Sequence, residues 1–150
     1  MLRDGHVRPL EYHGDDGSSA VDLDFDWDRG YARGSSSGKP VDLKLEDGTL
    51  DVMSIQLEIM LSLRRGTLPP TYRIIDNDEA KQFDYSLEGR HTLSTAIGEL
   101  DTLVVASHRA GSNRILRMWF APALGYVPVQ AERRREGKLE FAMRIKSLAP

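Results

Sequence analysis

The sequence predicts an α+β fold that is mostly antiparallel β: a curved sheet or half-barrel meander packed around one long helix at about residues 50–65. Three observations predict it. Apolar and polar residues alternate with a period of two in run after run, the pattern of strands with one dry and one wet face. The runs are closely spaced and separated by Gly, Pro, Asn and Asp turn signals, which favours antiparallel neighbours joined by short connections. Only the stretch 50–65 carries apolar residues at helical spacing. Eight or nine strands in a strongly twisted sheet tend to curl, and the apolar helix is the natural object to curl around.

A chain of 150 residues suits one domain, 1–150. Its 40% hydrophobic and 29% charged residues suit a folded core rather than a disordered tail. No run reaches the ~18 apolar residues of a membrane span. The opening MLRDGHVRPLEY has no apolar signal-peptide segment. The absence of cysteine excludes disulfides and thiolate metal sites. The net charge of −3 is unevenly spread: residues 1–100 carry 19 acidic and 11 basic side chains, residues 101–150 carry 4 and 9. Arg133, Arg134 and Arg135 supply much of that basic excess. A nucleic-acid surface calls for a stronger basic face with interleaved aromatics, so these cations read as the wet face of a sheet and no nucleic-acid partner is expected.

Taken in order, residues 7–12 read as a short strand weakened by Pro9, and 13–19 as a Gly/Asp/Ser loop. In 21–28, Val21, Leu23, Phe25 and Trp27 share one face and Asp22, Asp24, Asp26 and Asp28 the other. Four carboxylates in a row repel, so that row must meet water, a cation or basic side chains. GSSSGKP at 34–40 reads as a flexible loop, and Val41, Leu43 and Leu45 as a half-buried strand broken by Asp47-Gly48.

In the helix, Thr49 is the expected N-cap, and Asp51 suits the positive helix end. Asp51, Ser54, Glu58, Ser62 and Arg65 form a narrow polar stripe, and nearly all of the remaining circumference is apolar, with Gln56 pointing into it, which predicts burial on more than one side. Gly66 and Pro69-Pro70 end it.

The strands from 71 onward should form a meander. Tyr72 and Ile74 precede an Asp76-Asn77-Asp78 turn, and Phe83, Tyr85 and Leu87 alternate with Asp84, Ser86 and Glu88. Leu103 to Ala106 is apolar on both faces, as in a central covered strand. Leu116, Met118 and Phe120 form the next run, stopped by Pro122, with Gly125 placed for positive φ. Val127, Val129 and Ala131 follow. The Glu136-Gly137 hairpin then leads to Leu139, Phe141, Met143 and Ile145 on one face.

Motifs that carry chemistry are weak. The aspartate row departs from an EF-hand loop, since Gly30 is one position late and Ser35 replaces the final Glu. Gly34-Ser35-Ser36-Ser37-Gly38 matches G-x-S-x-G only in letters, without the strand and helix that motif needs, and Ser36 to Lys39 matches S-x-x-K equally emptily. His6, His13, His91 and His108 have no metal-ligand spacing, though His91 and His108 could meet on neighbouring strands. Trp27 and Trp119 read first as packing residues, as do Met53 and Met60, which could also adapt to an apolar ligand. No cofactor or metal is expected.

Several segments taken together resemble a family of bacterial exported proteins, the domain-of-unknown-function family 3108. They are Phe25-Asp-Trp27, Asp51-x-x-Ser54, Gly98-Glu-Leu-Asp-Thr102-Leu and Trp119-Phe-Ala-Pro122-x-Leu124-Gly-Tyr126-x-Pro128-Val129. The resemblance covers most of the chain, and the tryptophan-to-valine segment is its most specific part. It implies a periplasmic or envelope location and brings no catalytic residues. It also places Asp4-Gly5, Pro9 and Tyr12 at an interior point of the family pattern, so the chain is expected to lack the family's N-terminal strands and to be the C-terminal portion of a longer exported protein.

The resulting expectation is a non-enzymatic envelope protein that binds a lipid, an acyl chain or a lipidated segment in a groove between sheet and helix, lined by Gln56, Met60, Met118 and Phe120. The alternative is a structural or protein–protein interaction module with a filled core, engaging an envelope partner through an apolar patch or an open sheet edge.

Overall fold

The computed structural model describes residues 2–3, 6–15, 17, 20–76 and 79–147. The architecture is mostly antiparallel β with one α-helix, and its sheets are open rather than closed. The chain divides into two compact units. The first comprises residues 1–58 and 72–82, the second 59–71 and 83–150.

In the first unit, β1 (Leu2–Arg3) and β2 (His6–Val7) form a short antiparallel pair. β3 (Glu11–Asp15), β4 (Ala20–Asp26), β5 (Tyr31–Ser36) and β6 (Lys39–Lys44) form a four-stranded antiparallel sheet in sequence order. The alternation in β4 is borne out: Val21, Leu23 and Phe25 are buried and Asp22, Asp24 and Asp26 exposed. The buried side chains join Ala32, Val41, Leu45 and Ile75 in one core. Two of the aspartates meet basic partners: Asp22 accepts from His13 at 2.6 Å and Asp26 lies 3.7 Å from Arg29. Asp24 stands opposite Arg33 in the ladder, whose guanidinium lies 3.2 Å from Asp42.

The stretch GSSSGKP is a hairpin rather than a loop. Ser37 and Gly38 take φ of 50° and 79° between β5 and β6, the twist that two-residue hairpins need. Gly34 lies inside β5 because the backbones approach closely there; a Cβ would sit 1.8 Å from the Asp22 carbonyl oxygen. The expected loop at 13–19 is likewise partly strand, since β3 runs to Asp15.

β7 (Leu50–Asp51) pairs in parallel with β8 (Thr71–Asp76) through Leu50–Ile74 and Asp51–Ile75. This strand corrects the expected start of the helix. α1 spans Ser54–Arg65, 12 residues instead of the sixteen of 50–65. Its cap is Asp51, not Thr49. Asp51 Oδ1 accepts the Met53 and Ser54 N–H groups at 2.9 and 2.7 Å, and Ser54 Oγ accepts the Asp51 N–H at 2.9 Å, a reciprocal cap of the box type. Gly66 ends the helix as expected: Gly66 N–H donates to Leu63 O and Thr67 N–H to Ser62 O, both at 3.1 Å, the Schellman pattern.

The polar stripe of α1 is its buried side. Ser54, Glu58 and Ser62 are buried beside Ile55, Ile59 and Leu63, while Met53 and Leu57 are 66% and 55% exposed. Glu58 tolerates burial because its carboxylate accepts from His6 Nδ1 at 2.7 Å and the Val7 N–H at 2.8 Å.

In the second unit, β9 (Glu79–Thr95, from Phe83 on), β10 (Gly98–Arg109), β11 (Arg114–Ala121), β12 (Val127–Arg135) and β13 (Lys138–Arg144) form an antiparallel meander in sequence order. β10 is its covered strand, with Val104, Val105, Ala106 and Ser107 buried in succession and therefore on both faces. A 3₁₀ turn, Pro122–Leu124, closes on Gly125 at φ 72° before β12. Glu136 and Gly137 take φ of 50° and 82° in the expected hairpin. The Asp76-Asn77-Asp78 turn lies at residues 77–78, outside the described ones.

Candidate functional site

The register of the second unit's sheet determines which side chains meet. Leu87, Val105, Met118, Ala131 and Met143 stand opposite one another on five successive strands. Directly opposed residues point to the same side of a sheet, so these form one apolar row. The adjacent row on that side runs Tyr85, Ser107, Leu116, Arg133 and Phe141. The rows are covered at Val105 and Ala131 and open at both ends, where Leu87 on β9 is 51% exposed and Phe141 and Met143 on β13 are 37% and 59% exposed. All seven residues of β13 are exposed.

A bulge between Arg133 and Arg134 changes the expected β13 pattern. Phe141 opposes Arg133 but Leu139 opposes Arg134. Successive positions on β12 face opposite sides, so Leu139 leaves the face of Phe141 and Met143. The displaced Glu140 reaches Arg114 at 2.9 Å and Arg133 at 3.4 Å, and the Arg133 guanidinium lies 5.9 Å from the Phe141 ring centre. Elsewhere on the sheet Arg117 is bidentate to Glu88 at 2.7 and 3.3 Å, and the Glu88 hydrogen bond holds its pKa above the ordinary arginine value.

The first unit carries a cavity of about 560 Å³ lined by His6, Val7, Arg8, Trp27, Asp47, Gly48 and Thr49. Local alternation sends Trp27 to the side of Phe25, and their rings stack at 6.3 Å. The Trp27 indole N–H donates to Pro9 O at 2.7 Å and the Arg8 guanidinium lies 4.3 Å over its ring. Thr49 is buried, and its hydroxyl has no partner among the described residues. The lining offers a cation, a carboxylate and an aromatic surface, a set suited to binding.

Of the residues expected to line a groove, Met118 lies half-buried in the apolar row and Phe120 shares its side of β11, but Phe120 is 1% exposed. Gln56 and Met60 lie one turn apart on α1, both half-buried, and the Gln56 Oε1 is buried without a partner among the described residues. None of the four lines the described cavity. Sequence reasoning singled out neither the β13 residues nor Arg8 and Thr49 as site residues. The alternation of Phe141 and Met143 was visible; their exposure depends on what covers them, and Arg8, Trp27 and Thr49 meet only through the fold.

His91 and His108 do not meet. His91 stands opposite Thr102, and His108 opposite Asp84 with Nε2 to Oδ2 at 3.8 Å. Among the described residues no three His, Asp or Glu side chains are grouped to hold a metal, and no helix is long and apolar enough to cross a membrane.

Comparison with protein families identifies the chain. The profile of a family described as "Protein of unknown function (DUF3108)" matches residues 2–137, so the chain belongs to that family. No curated protein and no solved structure matches it.

Proposed function

We propose that this member of the DUF3108 family is a non-enzymatic protein of the bacterial cell envelope that binds a hydrophobic chain: a lipid, an acyl chain or a lipidated segment of a partner. The supporting observation is the apolar row on the second unit's sheet, covered at its centre and open at its ends, Leu87 and Met143, with Phe141 exposed beside it. Met118, expected from the sequence as a lining residue, lies in that row. Apolar residues that stay exposed along such a strip are a common mark of an interaction surface. Native mass spectrometry of protein purified without detergent from a membrane-containing lysate tests it. A co-purifying mass identified as lipid after organic extraction is expected. A clean apo mass, unchanged after incubation with mixed lipids, refutes the reading. Fractionation of tagged protein in a Gram-negative host tests the location, with recovery in the periplasmic or membrane fraction expected.

A second reading, a protein–protein interaction module, is favoured by one observation: among the described residues β13 is the last strand of its ladder and pairs only with β12. An open edge is a template for a partner strand. This reading predicts no lipid and recovery of a stable complex by size-exclusion chromatography with light scattering.

A further inference from the structure

The β12–β13 hairpin carries a charge arrangement that the apolar row does not explain. Arg114 stands opposite Arg135, and Arg135 opposite Lys138. Three cations are thus directly opposed on three adjacent strands, at a spacing of about 5 Å per strand. Like charges so placed destabilise a ladder. Glu140 offsets part of this, but it is shared between Arg114 and Arg133. Among the described residues Arg135, Lys138 and Arg144 form no ion pair, and residues 127–146 hold six basic side chains against three acidic ones. The uncompensated cations sit beside the open apolar end. Phe141 and Met143 lie two and four β12 positions along from the cation row on the same side, roughly 7 and 13 Å away at strand rise.

We infer that this hairpin docks on a lipid surface with anionic headgroups, the cations Arg135 and Lys138 meeting the headgroups while Phe141 and Met143 enter the acyl boundary. The inference rests on the lipid reading above and specifies its headgroup charge. Two further observations select a bilayer surface over other occupants. Leu139 is 52% exposed on the opposite side from Phe141 and Met143, so the hairpin offers apolar groups on both sides, which a lipid surface can surround and a single protein surface cannot. A second copy of the chain would bring its own Arg135, Lys138 and Arg144 against these, and edge charges of this kind oppose strand-to-strand pairing.

The test is flotation of the full chain with vesicles of phosphatidylcholine alone and of phosphatidylcholine containing phosphatidylglycerol, at low and high salt. Binding to the phosphatidylglycerol vesicles, weakened by high salt and absent on phosphatidylcholine, is expected. Each cation near an anionic surface contributes about fivefold in affinity, so Arg135→Gln/Lys138→Gln should bind roughly 25-fold more weakly. Its unfolding midpoint should be unchanged or raised, because opposed charges are relieved. Phe141→Ser/Met143→Ser should also lose binding, whereas Arg29→Gln, an exposed cation of the first unit, should not. Equal binding to both vesicle types overturns the anionic inference and leaves the lipid reading standing; binding to neither overturns the docking inference, and the lipid reading then stands or falls by the co-purifying mass. Full binding by the hairpin variants overturns the assignment to this surface. A dimer in sedimentation velocity that Phe141→Ser/Met143→Ser dissolves would assign the face to a second copy instead.

Discussion

In the first unit, β4 buries Val21, Leu23 and Phe25 and turns its three aspartates outward, Asp22 to His13 and Asp26 to Arg29. In the second, β13 carries a similar run of alternating apolar residues and buries none of them. Alternation decides which side chains share a face; burial needs a second layer to cover that face. Within the first unit Ile75 is buried with the apolar face of the four-stranded sheet, and Ala80 packs against it. The edges differ too. β6, at the edge of the four-stranded sheet, carries Pro40, which cannot donate to a partner strand. β13 carries no proline and relies on charge.

Four measurements would break or sharpen this contrast. The largest effect belongs to the covered face. Leu23→Ala should cost about 2–5 kcal/mol in urea unfolding, while Met143→Ala, on the open face, should stay within about 0.5 kcal/mol; equal losses would mean that β13 is covered in solution. Gly34→Ala comes next. The added Cβ meets the Asp22 carbonyl oxygen at 1.8 Å, so β4 and β5 must separate, at a cost of about 1–3 kcal/mol or more. An unchanged midpoint would rule out the close approach. Asp51→Ala removes the acceptor for two helix N–H groups and should cost about 0.5–2 kcal/mol, read by circular dichroism during denaturation; Thr49→Ser should leave the cap intact.

The smallest effect concerns pH. The Asp22 hydrogen bond, with help from Glu11, raises the His13 pKa above 6.5. A raised folded pKa adds stability that is fully present below the unfolded pKa and is lost as pH rises through the folded value. His13 is fully solvent-exposed, so screening keeps the effect small. An NMR titration should place its midpoint above 6.5, and Asp22→Asn should lower it. A midpoint at or below 6.5 in the native protein would remove the pairing from the account of the aspartate row.

Much of the fold was legible because strands, turns and helix ends are encoded locally. The meander from Phe83 onward, the Glu136-Gly137 turn, the covered β10 and the Gly66 stop follow from period-two patterning and glycine φ. The hairpin at Ser37-Gly38 was missed because a serine-rich stretch lacks the apolar alternation that marks a strand, although Ser-Gly suits the turn. The start of α1 was misread because Leu50-Asp51 is apolar enough to extend a helix, and its pairing with Ile74 and Ile75 lies more than twenty residues away. The candidate site was less legible. The strand pattern put Met118 on the face of the apolar row, but Arg135, Lys138 and Phe141 acquire meaning only through register.

The sequence by itself determined the secondary-structure alphabet of this protein, the faces of β4 and β10 and the ends of its turns, because each depends on neighbours within a few residues. Tertiary structure alone decided which faces are dry. The helix states the reason most plainly. Its apolar circumference predicted burial, yet Met53 and Leu57 are exposed while Ser54, Glu58 and Ser62 are buried. A carboxylate can be buried when donors meet it, and the His6 ring and Val7 N–H that meet Glu58 come from about fifty residues away along the chain.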